Sequence, residues 1–312
     1  MKKCVIAPIE SFYSDYRNPL PESVSLSGGY KLKKFDTSVL DYVFDFFGQS
    51  FSERDRGDLQ NCRYAIYYYY DTDEEISNTP ERIINEIGRI LLTLRIVKRT
   101  RAIATIFHFK IRGKAKDALQ VIHKPLINIT FPTDVTPGSQ HFNKADSFKI
   151  RKYYRFVNQL YSDFGGTYHK VLNALFFFEL AHQNHLYKPR MVNLVTGLES
   201  LFNTSKEQVG YTLKIRCSYF LEKDSDTRLE LGEKIKEIYD LRSTFVHGQG
   251  ASRRILESLE TQNNLLSGAE EITRRCLQKI FDDNLVDIFG DIDLLNSEFK
   301  KLELGVENLL VT

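Results

Sequence analysis

Cysteine is scarce, tryptophan is absent and no long apolar run occurs in this chain of 312 residues. The four cysteines, Cys4, Cys62, Cys217 and Cys276, stand far apart and form no CxxC pair. Their spacing excludes a disulfide framework and favours a protein of the reducing cytoplasm. No stretch reaches the roughly 18 apolar residues of a membrane-spanning helix, and the apolar stretch after Met1 is too short for a signal peptide. We therefore expect a cytoplasmic protein that has no membrane segment.

The chain also lacks an excess of charge of one sign. Lys and Arg number 43 against 41 Asp and Glu, which leaves a formal net charge of +2. Because this composition provides no large basic field, any affinity for RNA must come from a local cluster. The hydrophobic content of 42% and the charged content of 27% are typical of globular proteins. The length is sufficient for two domains.

Residues 1–145 are predicted to form an α+β domain. Short runs rich in aromatic and β-branched residues predict strands, and a run with helical spacing that opens on Thr79 and Pro80 predicts a helix. The predicted strands are residues 63–70, 102–111 and 126–131, and the predicted helix is 79–94. The loop of residues 131–141 contains Pro and Gly and marks the expected domain boundary.

Residues 146–312 show only helical periodicity, so we expect an all-α domain there. Pro189 suits the first turn of one helix, and the Ser267-Gly268 pair is interpreted as a break between two others. The predicted helices are residues 187–202, 211–221, 230–241, 252–266, 269–289 and 293–310.

One short string in this helical part combines a permanent cation with a titratable imidazole. Arg242 and His247 stand five residues apart in Arg242-Ser-Thr-Phe-Val-His247, and Gly248 follows. A guanidinium holds a phosphate with a planar fork of donors, and an imidazole exchanges a proton near neutral pH. The pair therefore suits phosphodiester chemistry. Composition alone gives roughly 0.4–0.5 such pairs, and the looser match Arg101…His108 lies on a predicted strand that separates the two side chains.

Three strings surround this pair in a fixed order. They are GLESLF from Gly197, LKIRCSYFL from Leu213 and IYDLRSTFVHG from Ile238. Together they resemble the HEPN superfamily and, within it, the ApeA-like HEPN domains. The likeness covers about residues 151–283, and the first 145 residues lie outside it.

The resemblance implies a HEPN-like helical bundle that forms a homodimer and cleaves RNA without a metal or another cofactor. Arg242 and His247 match the catalytic Arg and His of the family motif. Ser243 takes the polar position that the family often fills with Asn, Asp or His. The resemblance also implies prokaryotic antiphage defence, with a phage-derived trigger or an antitoxin protein as a further partner. Some members of the family are inactive and serve as RNA-binding or protein-interaction modules.

Ordinary structural roles are open for the same residues. Arg242 could pair with Asp240 or with a glutamate, and His247 could cap a helix C-terminus. Glu199 could support Arg242 or Arg216 through a buried charge pair. The sequence alone does not choose between these roles and a catalytic site.

Two features of the first domain are candidates for RNA contacts. Lys98, Arg99 and Arg101 form a basic run that could bind phosphates or cap the C-terminus of a helix. The four tyrosines of residues 67–70 could stack on bases, or they could alternate between core and surface along one strand.

His182 and His185 have the spacing of two metal ligands on a helix. A zinc site needs a further Cys, His or Asp ligand, and none stands near them in the sequence. We therefore expect no metal, and we expect this pair to mark the end of a helix before Pro189.

Overall fold

The computed structural model describes residues 2–47, 51–71, 79–111, 140–163, 166–204, 208–247, 258–306 and 308–310. The described chain divides into two compact units. The first contains residues 2–111 and 140–158, and the second contains residues 159–310. In outline, a sheet with helices precedes a mostly helical region, which confirms the predicted fold class at this level.

The first unit is built on an antiparallel sheet with β1 at its centre. β4 lies on one side of β1, followed by β3 and then β2, while β5 and β6 pair with successive parts of the other side. The strands are β1 (Lys2–Glu10), β2 (Ser23–Ser25), β3 (Lys31–Lys34), β4 (Tyr64–Asp71), β5 (Ile103–Ala104) and β6 (Phe107–Ile111).

The sheet confirms part of the predicted strand pattern and corrects another part. β4 matches the strand predicted at 63–70, but the strand predicted at 102–111 is two strands, separated at Thr105 and Ile106. The sequence reading did not identify β1, the central strand. The predicted strand 126–131 and the predicted boundary loop lie outside the described residues, apart from the last residues of the loop.

Helices cover this sheet and bury its central strand. Residues 4–9 of β1 are all buried, and Cys4, Ile6 and Tyr67 pack with Val43 of α1 and Leu59 of α2. The three helices are α1 (Val39–Phe47), α2 (Glu53–Gln60) and α3 (Thr79–Val97). The helix predicted from Thr79 is thus confirmed and runs three residues beyond its expected end.

The next helix, α4 (Asp146–Ser162), begins in the first unit. Its buried residues Ile150, Tyr153 and Tyr154 form one apolar face, and the Tyr154 hydroxyl donates to Glu86 Oε2 of α3 at 2.8 Å. The first unit therefore extends to residue 158, whereas the sequence placed the domain boundary at residues 145 and 146.

The second unit consists of helices in its described residues. They are α5 (His169–Gln183), α6 (Tyr187–Phe202), α7 (Val209–Leu221), α8 (Ser225–Val246), α9 (Leu259–Asp282), α10 (Val286–Gly290) and α11 (Ile292–Glu303). The helix predicted at 187–202 has the observed bounds, and the one predicted at 211–221 begins two residues earlier.

The predicted break at Ser267-Gly268 is wrong, because α9 is continuous through both residues. A Cβ atom at Gly268 would lie 2.5 Å from Lys234 Cε of α8, so this glycine leaves room for the Lys234 side chain. The predicted helix 269–289 is also divided, since α9 ends at Asp282 and the short α10 follows. Among the residues that the structure describes, no helix has the length and apolar character needed to cross a membrane.

Candidate functional site around Arg242

The C-terminal half of α8 carries the string that the sequence singles out. The helix begins at an N-cap, Asp224, whose carboxylate accepts from the backbone N–H groups of Asp226 and Thr227. Leu231, Ile235, Ile238 and Leu241 are its buried side, at helical spacing. α8 ends at Val246, with His247 as its C-cap. The expected helix end near His247 is confirmed, and Gly248 lies outside the described residues.

Arg242 is held by a carboxylate of another helix. Its Nη2 donates to Glu199 Oε2 of α6 at 2.7 Å, and 18% of the Arg242 side chain and 14% of the Glu199 side chain are exposed. The charge pair that the sequence allowed between these residues is therefore present. It restrains the guanidinium, since one of its terminal nitrogens is tied to a largely buried carboxylate.

The other nitrogens of Arg242 differ in their access to solvent. Nε is buried and has no hydrogen-bond partner among the described residues. Nη1 has no such partner either, and the 18% of the side chain that is exposed leaves it accessible. Arg242 can therefore meet an anion with one terminal nitrogen while Glu199 holds the other.

The electrostatics of this pair are set by burial. Burial raises the pKa of Glu199, and the positive charge of Arg242 acts in the opposite direction. The pair is formally neutral when both groups are ionised. Glu199 consequently fixes Arg242 in place but also offsets part of its attraction for a phosphate.

His247 and Ser243 lie beyond this pair, at the end of α8. The His247 side chain is exposed and makes no hydrogen bond or ion pair with any described residue. Ser243 is half-buried, and its carbonyl accepts from the His247 backbone N–H at 3.0 Å. On an ideal helix, five residues correspond to about 140° and about 7.5 Å. One chain therefore presents Arg242 and His247 in different directions.

Tyr239 is a neighbour of Arg242 to which the sequence reading gave no role. The Arg242 guanidinium carbon lies 6.0 Å from the centroid of the Tyr239 ring. The ring packs on Gly210 near the start of α7, where an added Cβ would lie 2.6 Å from Tyr239 Cε1. Burial raises the pKa of Tyr239, and the Glu199 carboxylate raises it further. Residues three apart share a helix face, which was the available signal in the sequence.

Two residues at the start of α6 adjoin the end of α8. The Tyr187 ring packs edge-on against Phe245, with centroids 5.9 Å apart, and Lys188 Nζ lies 5.4 Å from the centroid of the same phenylalanine ring. Lys188 makes no ion pair with any described residue, so its charge is available near the motif.

Arg216 belongs to a different cluster. Its Nε donates to Glu303 Oε1 at 2.7 Å, and its Nη1 donates to the Phe202 carbonyl at 2.8 Å. The guanidinium also lies over the Phe299 ring. The structure thus gives Arg216 the structural ion pair that the sequence allowed, but Glu199 is not its partner.

The basic run of the first unit is partly neutralised. Lys98 Nζ lies 2.6 Å from Asp146 Oδ2 and also donates to the His141 carbonyl. Arg99 and Arg101 are half-buried, and their Nε atoms are shut off from solvent. Contact of these three residues with RNA stays a prediction.

The tyrosines of β4 follow strand alternation. Tyr67 is buried and Tyr69 is 51% exposed on one face. Tyr68 and Tyr70 lie on the other face, where Tyr68 stacks between Tyr30 and Tyr70. The expectation that only every second tyrosine shares a face is confirmed.

His182 contributes to a buried charge cluster. It lies in the last turn of α5, and its Nε2 lies 3.7 Å from Glu270 Oε1 of α9. His185 is exposed beyond the end of that helix. In the described part of the chain, no group of three or more His, Cys, Asp or Glu side chains could hold a metal ion.

Comparisons with protein-family models, with curated proteins and with solved structures found no match for this chain.

Proposed function

We propose that this protein is a metal-independent endoribonuclease of the HEPN type, active as a homodimer in the cytoplasm. The observation that carries the proposal is the pairing of Arg242 with Glu199, which leaves one guanidinium nitrogen open five residues before the exposed His247 at the end of the same helix. An oriented cation and a free imidazole can together supply charge stabilisation and proton transfer in the cleavage of RNA. The order of the three HEPN-like strings supports the same assignment.

The chemistry uses the 2′-hydroxyl that distinguishes RNA from DNA. A neutral His247 takes the proton of this hydroxyl, and the 2′-oxygen forms a bond to phosphorus. The bond from phosphorus to the 5′-oxygen breaks, and a protonated imidazole supplies the proton to that leaving oxygen. Arg242 stabilises the charge that develops on the phosphate, and we assign Ser243 as a further donor to it.

A dimer provides the second imidazole and the missing geometry. Because Arg242 and His247 diverge by about 140° on α8, one chain does not direct both at one phosphate. A two-fold axis near the end of α8 would bring Arg242 of one protomer beside His247 of its partner. The two imidazoles would then act as base and acid.

A second function is favoured by the same ion pair. Since Glu199 already compensates the charge of Arg242, the pair has the character of a structural contact. On this basis the protein would be an inactive HEPN dimer that binds RNA or a protein partner. Antiphage defence, with a phage-derived trigger or an antitoxin that restrains a toxin-like effector, is compatible with the enzymatic proposal.

Cleavage in the presence of EDTA tests the proposal. Purified protein should cut total RNA with EDTA present and leave DNA intact, because only RNA has the internal nucleophile. Arg242→Ala and His247→Ala should each reduce the rate by about 100-fold or more. His185→Ala is the matched control, since His185 is also exposed but lies just beyond the end of α5. Cleavage that survives both substitutions, or that requires a divalent metal, would contradict the assignment.

A further inference from the structure

Tyr239 adds a second hydrogen-bond donor to the face of α8 that carries Arg242. The two side chains stand three residues apart on α8, so they share one face of the helix. The Tyr239 hydroxyl makes no hydrogen bond with any described residue, and it is not one of the buried unsatisfied atoms. The hydroxyl and Arg242 Nη1 are therefore two solvent-accessible donors on the same face.

Gly210 fixes the position of the Tyr239 ring. The ring lies so close to the Gly210 backbone that an added Cβ would stand 2.6 Å from Cε1 and 2.7 Å from Cδ1. Only a residue without a side chain leaves this space free. The contact holds a half-buried ring beside Arg242 without using its hydroxyl.

Some phenols of the protein donate to groups of their own chain. Tyr64 donates to the Leu20 carbonyl at 3.1 Å, Tyr154 donates to Glu86, and Tyr168 donates to Asp287 at 2.9 Å. Tyr239 has a glutamate and an arginine within electrostatic reach, yet its hydroxyl bonds to neither. A donor kept open beside a fixed guanidinium is suited to an anion from outside the chain.

We propose that the Tyr239 hydroxyl and Arg242 Nη1 form a two-donor site for one phosphodiester group of single-stranded RNA. The proposal rests on the proposed function for the identity of its ligand, but it requires binding only. Tyr239 donates to one phosphate oxygen and Arg242 to another, while Glu199 keeps the guanidinium in place. A neutral phenol adds a hydrogen bond without adding charge. Its contribution to RNA binding therefore does not depend on salt in the way that the contribution of Arg242 does.

The test uses a fluorescent single-stranded 2′-O-methyl oligonucleotide, which lacks the nucleophile and cannot be cleaved. Tyr239→Phe keeps the ring on Gly210 and removes only the hydroxyl. Its dissociation constant, from fluorescence anisotropy, should rise about 10-fold, as expected for a hydrogen bond to a charged group. The salt dependence of binding should keep its slope, whereas Arg242→Gln should lower the slope by about 0.7.

Tyr219→Phe is the matched control. Tyr219 is also half-buried and lies under an arginine, Arg228, at 4.0 Å from guanidinium carbon to ring centroid. Arg228 donates to the carbonyls of Glu222 and Lys223, so its guanidinium is occupied by backbone groups at the end of α7. Tyr219→Phe should bind the probe as tightly as the wild type. Equal loss in both variants would show a structural effect and overturn the site.

Gly210→Ala tests the position of the ring independently. The added methyl group displaces Tyr239, so binding should weaken in the same direction as in Tyr239→Phe. Gly88→Ala in α3, where a Cβ meets nothing within 4 Å, should leave binding unchanged. If Tyr239→Phe and Gly210→Ala both bind like the wild type, the two-donor site is wrong.

The outcome is separable from that of the enzymatic proposal. Tyr239-dependent binding of the 2′-O-methyl probe without cleavage of ordinary RNA would retain the phosphate site and reject the nuclease. Cleavage that depends on Arg242 and His247, with Tyr239→Phe unchanged in both binding and rate, would retain the nuclease and reject the role of Tyr239.

Discussion

Two arginines and a histidine meet the carboxylate of Glu270 inside the helical unit. Arg274 forms an ion pair with it, Arg190 Nη2 lies 3.5 Å from Oε2, and His182 Nε2 lies 3.7 Å from Oε1. Burial alone raises the pKa of Glu270, but His182, Arg274 and Arg190 outweigh this effect and hold the pKa well below its ordinary value. The ionised carboxylate is thus the form that this interior stabilises.

Glu270→Gln should destabilise the protein by about 3–5 kcal/mol at neutral pH, because it leaves buried cations without their counterion. The folded pKa is depressed, so this contribution is present above the unfolded value of about 4.5 and is lost as the pH falls below it. Urea unfolding of the two proteins should show the difference shrinking in acid. Glu271→Gln is the control, since Glu271 is 47% exposed and should cost less than about 1 kcal/mol. A difference that does not change with pH would contradict this account.

At the residue scale, the sequence indicated one contact of the candidate site, while the chemistry of that site stays a prediction. It selected Arg242, His247 and Glu199, and Arg242 with Glu199 is a contact in the structure. It missed Tyr239, because a tyrosine three residues before an arginine is ordinary until Gly210 is seen beneath the ring. It also missed the cluster around Glu270, since its members come from α5, α6 and α9.

Two cationic side chains donate to backbone carbonyls at the C-terminus of α6. Lys170 Nζ donates to the carbonyls of Ser200 and Asn203 at 3.2 and 2.7 Å, and Arg216 donates to the carbonyl of Phe202. Cations are favoured at this end of a helix. Burial and, as a smaller effect, the charge of Arg216 lower the pKa of Lys170 to about 8.

Lys170→Met should change how stability depends on pH. The folded pKa of about 8 lies below the unfolded value of 10.5, so the unfolded chain binds more protons between them. Lys170 therefore adds stability as the pH rises through this window. The wild type should gain roughly 1–3 kcal/mol relative to Lys170→Met across it, as measured by urea unfolding at a series of pH values. The other titrating groups are common to both proteins, so their effects cancel in the difference between the two free energies of unfolding. If the two free energies change with pH in parallel, the lowered pKa of Lys170 is contradicted.

At the element scale, helices were predictable where apolar periodicity and terminal signals agree. The bounds of α6 follow from its stripe of apolar residues, such as Val195 and Leu198. β1 was missed because Pro8 argues against a central strand and because its buried run lacks alternation. The break at Gly268 was wrongly predicted because a glycine that makes room for a neighbouring side chain resembles, in sequence, a glycine that ends a helix.

At the scale of the molecule, the contacts of α4 place the end of the first unit within this helix. Its first part belongs to the sheet unit through Tyr154 and Glu86, so a fragment that begins at Asp146 removes the partner of a buried helix face. No periodicity in the sequence of α4 distinguishes a helix that belongs to the following domain from one that packs on the preceding domain. The division is set by tertiary contacts that a single sequence does not display.

The proposed dimer requires exposed side chains at the C-terminal end of α8. Val246 is 50% exposed and precedes His247 directly. Phe245, by contrast, packs on Tyr187 of its own chain. A charge at Phe245 would disturb that internal contact, whereas a charge at Val246 acts on whatever meets the end of α8 from outside.

Val246→Glu should therefore separate the protomers without unfolding them. Burial of an unpaired carboxylate between two copies costs on the order of 3 kcal/mol, which raises the dimer dissociation constant about 100-fold. Sedimentation at several concentrations should show the shift, and RNA cleavage should fall in step with it. Leu229→Glu is the control on the same helix, since Leu229 is 64% exposed but lies in the first turns of α8. A Val246→Glu protein that stays dimeric, or a monomer with full activity, would show that Arg242 and His247 do not meet across a two-fold axis.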